Sequence, residues 1–471
     1  MTHRSFLGIA IIGAFAVSSV VVGATASDRL GDAVQARMAS DGVPGVVVTV
    51  LENGAPVWTR AFGYADPATG REMAADALFR VESISKPVTA WGAMRLAETG
   101  RLDLDAPITD CLTSWQPPES TPPLTSRQLL SHSAGIGLGD FAARFAPDAI
   151  RPELAEHLAE DFEIIAAPSA AFAYSDTGFN LLELVIEDCT GEDFAVFMAR
   201  EVLSPLGMER AGFDWTGFEM PVGHDLRGPP VAPYVYPGRA SGGLFATAGD
   251  VARFAAAGMA GTDQPVLSAE GVAALHRSVV AVDGLFGFAA DGYALGHFTE
   301  TLSDGRQAVW HGGQGYGWMT HLHLVPETGD GIVILSNSQR AWPLFAAVLR
   351  VWSESLGVQP VGMTRILWAE TAARVAIALL LAGALLALVA VFWRWRRGPT
   401  WRGAAALAGA AGVGWPLWAQ AQDYLFIFSI LPGLWLWLAA ASGVAGLCLA
   451  MFAIAPGRTT AAISDQGKSE D

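Results

Sequence analysis

Three uncharged apolar runs, Val375 to Trp393, Gly403 to Ala419 and Tyr424 to Ala455, fill most of the C-terminal part of the chain. No other feature restricts the backbone as strongly. In hydrocarbon every N–H and C=O needs a partner within the protein, so runs of this length are read as transmembrane helices. Three spans are expected, at about 372–393, 403–419 and 428–454, within a membrane region covering 368–455. The third run is longer than one span needs. Arg394, Arg396, Arg397 and Arg402 lie between the first two runs, while the stretch "QAQD" before the third carries no basic residue. By the positive-inside rule the Arg-rich loop is cytoplasmic, so the domain before the first span is outside and residues 456–471 form a cytoplasmic tail. Trp393, Trp395, Trp401, Trp415 and Trp418 stand near the expected span ends, where indole favours the interface. Gly409, Ala410 and Gly412 suit close helix packing, although an Ala-rich composition accounts for them equally.

The N-terminus agrees with export. A short basic start (His3, Arg4), an apolar run from Phe6 to Gly23 and then Ala24-Thr25-Ala26 have the layout of a secretory signal spanning 1–26, with cleavage after Ala26. An uncleaved anchor is the alternative. Residues 28–360 are then the exported domain, placed outside the bacterial inner membrane on its periplasmic or extracellular side. The formal net charge of −17 excludes nucleic acid as a partner, since a phosphate backbone needs a basic surface. The three cysteines, Cys111, Cys189 and Cys448, fit neither a zinc site nor a CxxC redox pair. Cys111 and Cys189 are either a disulfide or two separate buried thiols.

Within 28–360, "GVPGVVVTVLENGAPVWTRAFGYAD" reads as two strands around an Asn53-Gly54 turn. "ESISKPVTAWGAMRLAETG" reads as an amphipathic helix ending near Gly100. Helical patterns broken by Pro-rich loops fill 101–255, strand patterns return from about 307, and "WPLFAAVLRVWSESLG" closes the domain as a helix. Strands at both ends with helices between them predict an α/β (α+β) domain: one sheet built from the two ends, flanked by helices, with a helical lobe inserted.

The chain contains two lysines, Lys86 and Lys468. Lys86 follows Ser83 by three residues at an expected helix start, on the same side. A serine hydroxyl needs an adjacent base to act as a nucleophile. A desolvated lysine amine can serve, whereas arginine stays charged. A Ser and Lys in a surface turn would give the same spacing by coincidence, so the pair needs company.

"FAYSDTGFN" places Tyr174-Ser175-Asp176 before a helix, and "AVWHGGQGYGW" places His311-Gly312-Gly313 at a strand end. With "SISKPVTA", "LLSHSAGIG", "PLGMERAGF" and "ASGGLFATAGDVARFA", the chain from about 30 to 355 resembles the serine β-lactamase and penicillin-binding-protein-like superfamily, on its class C and esterase side. There the order is Ser-x-x-Lys, Tyr-x-Asn, then Lys-Thr-Gly or His-x-Gly. The resemblance implies a β-lactamase-like fold and the following roles. Ser83 is the acylated nucleophile. Lys86 accepts its proton or tunes it, Tyr174 shares base duty and activates the deacylating water, and the N–H groups of Ser83 and Gln314 form the oxyanion hole. His311, with Gly312 and Gly313, stands where other members have a lysine and gives a donor to the substrate or to Tyr174. Neither a cofactor nor a metal is implied.

One position departs from the pattern: Asp176 stands where the family often has Asn. A carboxylate beside Lys86 favours the ammonium and raises its pKa, which moves base duty towards Tyr174. It also removes an amide donor for a β-lactam carbonyl. Ser175-Asp176-Thr177 is similar to the Ser-Asp-Asn of class A enzymes, but the preceding Tyr and the following helix favour the first alignment. His132 is expected to support a turn, and His321 and His323 to be structural. The absence of G-x-S-x-G argues against an α/β-hydrolase elbow.

The layout of hydrolase domain followed by spans also resembles membrane peptidases that mature bacterial natural products. The expected function is a membrane-embedded serine hydrolase acting through an acyl-enzyme on an ester or amide of a small-molecule or peptide-like substrate, as a peptidase or esterase. D-Ala-D-Ala carboxypeptidase, penicillin-binding or β-lactamase activity is the runner-up. A catalytically silent ligand sensor is the alternative from another class. The loops at 101–170 and 210–240 are expected to shape the pocket.

Overall fold

A computed structural model of the protein describes residues 25–140, 142–393, 399–422 and 426–455. The expected signal, apart from its last two residues, the arginines at 394–397 and the expected tail lie outside the described residues.

Helix α1 (Ala26–Asp41) begins in a capping box, in which Thr25 accepts from the Asp28 amide. Strands β1 (Gly45–Glu52) and β2 (Ala55–Asp66) follow as the expected hairpin. Its turn has φ of 51° at Asn53 and 76° at Gly54, the left-handed pair that a two-residue hairpin needs. β3 (Arg71–Glu72) extends this edge. The other half of the sheet comes from the far end of the domain: β4 (Val280–Ala281), β5 (Gly292–Tyr293), β6 (Phe298–Thr301), β7 (Gln307–Gln314), β8 (Met319–Val325) and β9 (Asp330–Ser336). The nine strands run in the order β3-β2-β1-β9-β8-β7-β6-β5-β4, with every neighbouring pair antiparallel. The two chain ends meet at β1–β9, where Val46 faces Ser336 and Leu51 faces Gly331.

Both faces of the centre are covered, so β1 reads as an unbroken valine-rich run and its residues are buried up to Leu51. Val47 and Leu51 point into one core. Val46, Val48 and Val50 point into the other. The second core is closed by α1 and by the terminal helix α4 (Trp342–Ser355). On the first face lies the inserted lobe, which includes α2 (Ser85–Glu98) and α3 (Asp176–Thr190). Cys111 and Cys189 are joined in a disulfide with Cα atoms 5.3 Å apart, which ties the loop after α2 to the end of α3.

The C-terminal region departs from the expected three spans. α5 (Arg365–Phe392), α6 (Pro399–Gln420), α7 (Phe426–Ile430) and α8 (Trp435–Ile454) are helical. Among the described residues two helices, not three, are long and apolar enough to cross a membrane: the stretch Gly362–Phe392 containing α5, and α8. α6 lies where the second span was expected. Its composition, dominated by Ala and Gly with Pro416 inside, leaves it less apolar. The third expected span is divided. Pro432, which has no N–H to continue a helix, sits in the turn between α7 and α8. α6 and α8 touch backbone to backbone: a Cβ on Gly409 would meet Gly446 O at 2.8 Å.

Candidate active site

Ser83 lies in a 3₁₀ turn, Glu82–Ile84, directly before α2. Three contacts hold this turn. Ser85 Oγ donates to Glu82 O (2.6 Å) and accepts from the Leu244 amide (3.0 Å), while Thr320 Oγ1 on β8 donates to Val81 O (2.7 Å). Lys86 follows in the first turn of α2 and is fully buried. Its Nζ donates to Ser83 Oγ (3.1 Å), Asp176 Oδ1 (2.6 Å) and Ser241 O (2.8 Å). Three acceptors around one nitrogen are what an ammonium requires.

Tyr174 and Asp176 reach the same point from the start of α3. Ser175 caps that helix by accepting from the Gly178 amide (2.8 Å), so Asp176 falls in the first turn, where the helix dipole favours a carboxylate. The carboxylate of Asp176 faces Lys86 while the hydroxyl of Ser175 is spent on the cap and on Gly137 O (2.6 Å), which supports the Tyr-x-Asn alignment. Tyr174 stands beside Ser83 and Lys86, with Lys86 Nζ 4.9 Å from the centre of its ring. His132 packs on Tyr174 with ring centres 4.3 Å apart, and its Nδ1 accepts from the Ser175 amide (3.1 Å). It supports the tyrosine segment, as expected for a turn residue.

β7 supplies the third wall. Its Gly313 would, with a side chain, collide with Val81 O and Thr320, and a side chain at Gly315 would run into the Glu82 carboxylate. This contact sets Gln314 beside the Ser83 turn. Gln314 Oε1 accepts from Trp342 Nε1 (2.5 Å) and from Ser429 Oγ of α7 (3.4 Å). His311 sits differently from the expectation. Its Nδ1 donates to Gly312 O (2.9 Å), and its Nε2 accepts from the Tyr293 hydroxyl (3.1 Å). Both nitrogens are engaged away from Tyr174, and His311 anchors β7 to Tyr293.

Burial lowers the pKa of Lys86, but the Asp176 carboxylate and Tyr174 outweigh this and hold it above the usual lysine range. Burial raises the Tyr174 phenol, only partly offset by Lys86. Burial, reinforced by Lys86, keeps His132 and His311 well below the ordinary imidazole range, so both are neutral.

Some participants gave no signal on their own. Glu82 has a φ of 53°, a left-handed backbone rare for a side-chain-bearing residue, immediately before Ser83. Its carboxylate accepts from Arg80 Nε (3.1 Å), Tyr234 OH (3.1 Å) and Tyr236 OH (2.8 Å). The Arg80 guanidinium lies 4.2 Å over the Tyr234 ring and 4.8 Å over that of Tyr236. The clue available was tyrosine scarcity: five of the chain's seven, Tyr174, Tyr234, Tyr236, Tyr293 and Tyr316, gather here.

Ser83 opens on two sides. A small recess of about 40 Å³ is lined by Asp140, Asp161, Asp176 and Tyr236 among others. A large cavity of about 1090 Å³ leads from Ser83, Tyr174 and Gln314 past Phe286, Phe298 and Trp310 to Met363, Ile366 and Ala369. Both loop segments expected to shape the pocket contribute, through Leu138 and Ile165 and through Tyr236. Residues 283–289 and the start of α5, which also line it, were not anticipated. His321 and His323 are buried side by side on β8, and no group of three or more potential metal ligands occurs among the described residues.

A sheet built from both ends of a domain, with Ser, Lys and Tyr converging beside its interior strand β7, defines a β-lactamase-like protein. Residues 30–351 match the Beta-lactamase family, and the chain belongs to it, within the β-lactamase and penicillin-binding-protein-like superfamily of serine hydrolases. It is 34% identical to Esterase EstB of Burkholderia gladioli over 36% of this chain and 47% of that one, so the match spans about half of the esterase's length. Penicillin-binding protein 4 of Amycolatopsis lactamdurans is 27% identical over 65% of this chain and 84% of its own. Among solved structures, the octameric penicillin-binding protein homologue from Pyrococcus abyssi superimposes with a TM-score of 0.63 at 25% identity, covering 70% of this chain and 78% of that one.

Proposed function

We propose that this protein is an exported, membrane-anchored serine hydrolase that cleaves an ester or amide through an acyl-enzyme on Ser83. The observation that carries the reading is the contact of Lys86 Nζ with Ser83 Oγ, 3.1 Å, with the lysine fully buried. In the proposed reaction Ser83 Oγ attacks the substrate carbonyl carbon. Its proton passes to Tyr174 in the phenolate form, which the Lys86 ammonium stabilises, leaving Tyr174 as the neutral phenol. The carbonyl oxygen takes up negative charge between the Ser83 and Gln314 amides. Tyr174 returns the proton to the departing alcohol or amine, then activates a water that releases the acyl group. Gly313 keeps β7 against the serine turn, Gly312 leaves room for the Trp342 ring, and Asp176 holds Lys86 charged.

Anchoring is supported by α5, whose Leu379, Leu385, Leu386 and Phe392 are 62–81% exposed and would be costly in water. Export is supported by the Cys111–Cys189 disulfide, since such bonds persist in oxidising compartments. The test is labelling of the full chain with a fluorophosphonate. Wild type should label, and Ser83→Ala should not; equal labelling would refute the nucleophile. The likeness to Penicillin-binding protein 4 over most of that protein favours one second reading, penicillin binding. Stable labelling by a fluorescent penicillin without turnover would support it over esterase or peptidase activity.

A further inference from the structure

The large cavity does not end at the hydrolase domain. Its lining runs from Ser83 and Tyr174 to Met363, Ile366 and Ala369, just before and within the first turns of α5. At about 1090 Å³ it exceeds the roughly 300–1000 Å³ of ordinary small-molecule sites. Its middle is aromatic: Tyr174 stacks with Phe286 and Phe298 at 5.5 and 6.3 Å, and Phe298 stacks on Trp310 at 4.4 Å. Charged groups stand beside the serine, at Asp140 and Asp176, and at the exposed Asp283 and Arg365. α7 also reaches the site, through the Ser429 hydroxyl on the side chain of Gln314.

We propose that this cavity holds one long alkyl or acyl chain, so that the substrate is a membrane-borne amphiphile. Its ester or amide carbonyl reaches Ser83 while its chain lies along the aromatic wall towards α5. The inference rests on the reading of Ser83 as nucleophile and α5 as a span. On that reading the first turns of α5 meet the outer leaflet, and a chain passes from lipid into the cavity without crossing water. An apolar cavity of this size standing open to water is costly, whereas each methylene that fills it is favourable. A peptide substrate of ordinary polarity would leave its backbone groups unpaired against Phe286, Phe298 and Trp310.

The test uses the full chain in phosphatidylcholine nanodiscs with 4-nitrophenyl esters from acetyl to dodecanoyl. In wild type kcat/KM should rise by up to about fourfold per added methylene over the first several. Ala369→Trp, which fills the α5 end, should lower the dodecanoyl-to-acetyl ratio at least tenfold, and Ile366→Trp serves as the second blocking variant should the first fail to fold. Ser83-dependent acetyl hydrolysis with a flat profile, or a ratio unmoved by either tryptophan, would overturn the inference and leave the hydrolase reading standing. Should no ester be cleaved and no fluorophosphonate react, the hydrolase reading fails, and binding decides the cavity. Ser83→Ala should then bind 11-(dansylamino)undecanoate saturably at one site, and adding Ala369→Trp should abolish that binding. Non-saturable fluorescence, or binding indifferent to the tryptophan, would overturn the chain site.

Discussion

Lys86 is surrounded by three acceptors in a fully buried position, and Asp176 decides its charge. The same carboxylate opposes ionisation of Tyr174. Asp176→Asn removes both influences and should lower the pKa of each group. The acidic limb of the kcat/KM profile should therefore move to lower pH, whichever of the two is the base; a limb that stays in place would contradict this account of Asp176. Glu82 is the second decisive side chain. Its carboxylate answers the buried guanidinium of Arg80 and two tyrosines. Glu82→Ala strands that charge and should cost about 3–5 kcal/mol of stability, read from urea denaturation, with slower fluorophosphonate labelling of Ser83. Lys86 and Ser83 were legible in the sequence because a lysine is rare here and its amine has a specific chemical use. Glu82 was not, because its role arises from a left-handed backbone and from partners about 150 residues away.

At the level of elements, strong local signals survived. The Asn53-Gly54 hairpin and the closing helix α4 formed where turn chemistry and periodicity placed them. The spans did not follow apolar content alone. Pro432 divides the third run into α7 and α8, and the short α7 turns its Ser429 onto Gln314. The cysteine pairing was open in the sequence, because spacing does not report distance. With the two cysteines 78 positions apart in the sequence, the bond restrains a long loop of the unfolded chain. A Cys111→Ser, Cys189→Ser double variant should lose roughly 2–4 kcal/mol in urea, and dithiothreitol should lower the melting temperature of wild type but not of the variant. Equal melting with and without reductant would contradict a stabilising role.

Over the whole molecule, protonation couples to folding through buried imidazoles. His132, His297, His311, His321 and His323 are all buried, and burial holds each below the ordinary 6.5, His297 at about 4 and His321 at about 3. The unfolded chain takes up protons at these sites below pH 6.5 while the folded protein does not, so their stabilisation is full above 6.5 and is lost as pH falls towards 4. Glu300 opposes this. Burial lifts its carboxyl to about 7 from 4.5, so the folded protein keeps a proton between those values and gains stability on acidification. His276 is likewise held low by burial, and burial also raises Asp41 and Glu187 on the side of Glu300. With six imidazoles against three carboxyls, the urea midpoint should be lower at pH 5 than at pH 7.5; a midpoint unchanged across that range would refute the balance. By itself the sequence determined the sheet built from two chain ends, the helical character of the C-terminal runs and the convergence of Ser83, Lys86 and Tyr174. The first two rest on local periodicity and turn chemistry; the third came from the resemblance of several motifs, in order, to a known family. Only the tertiary structure decided that Asp176 sets the charge of Lys86, that His311 is spent on Tyr293, and that the cavity beside Ser83 is walled by α5. Those facts depend on which distant groups share a buried space, where desolvation and close contact set the energies.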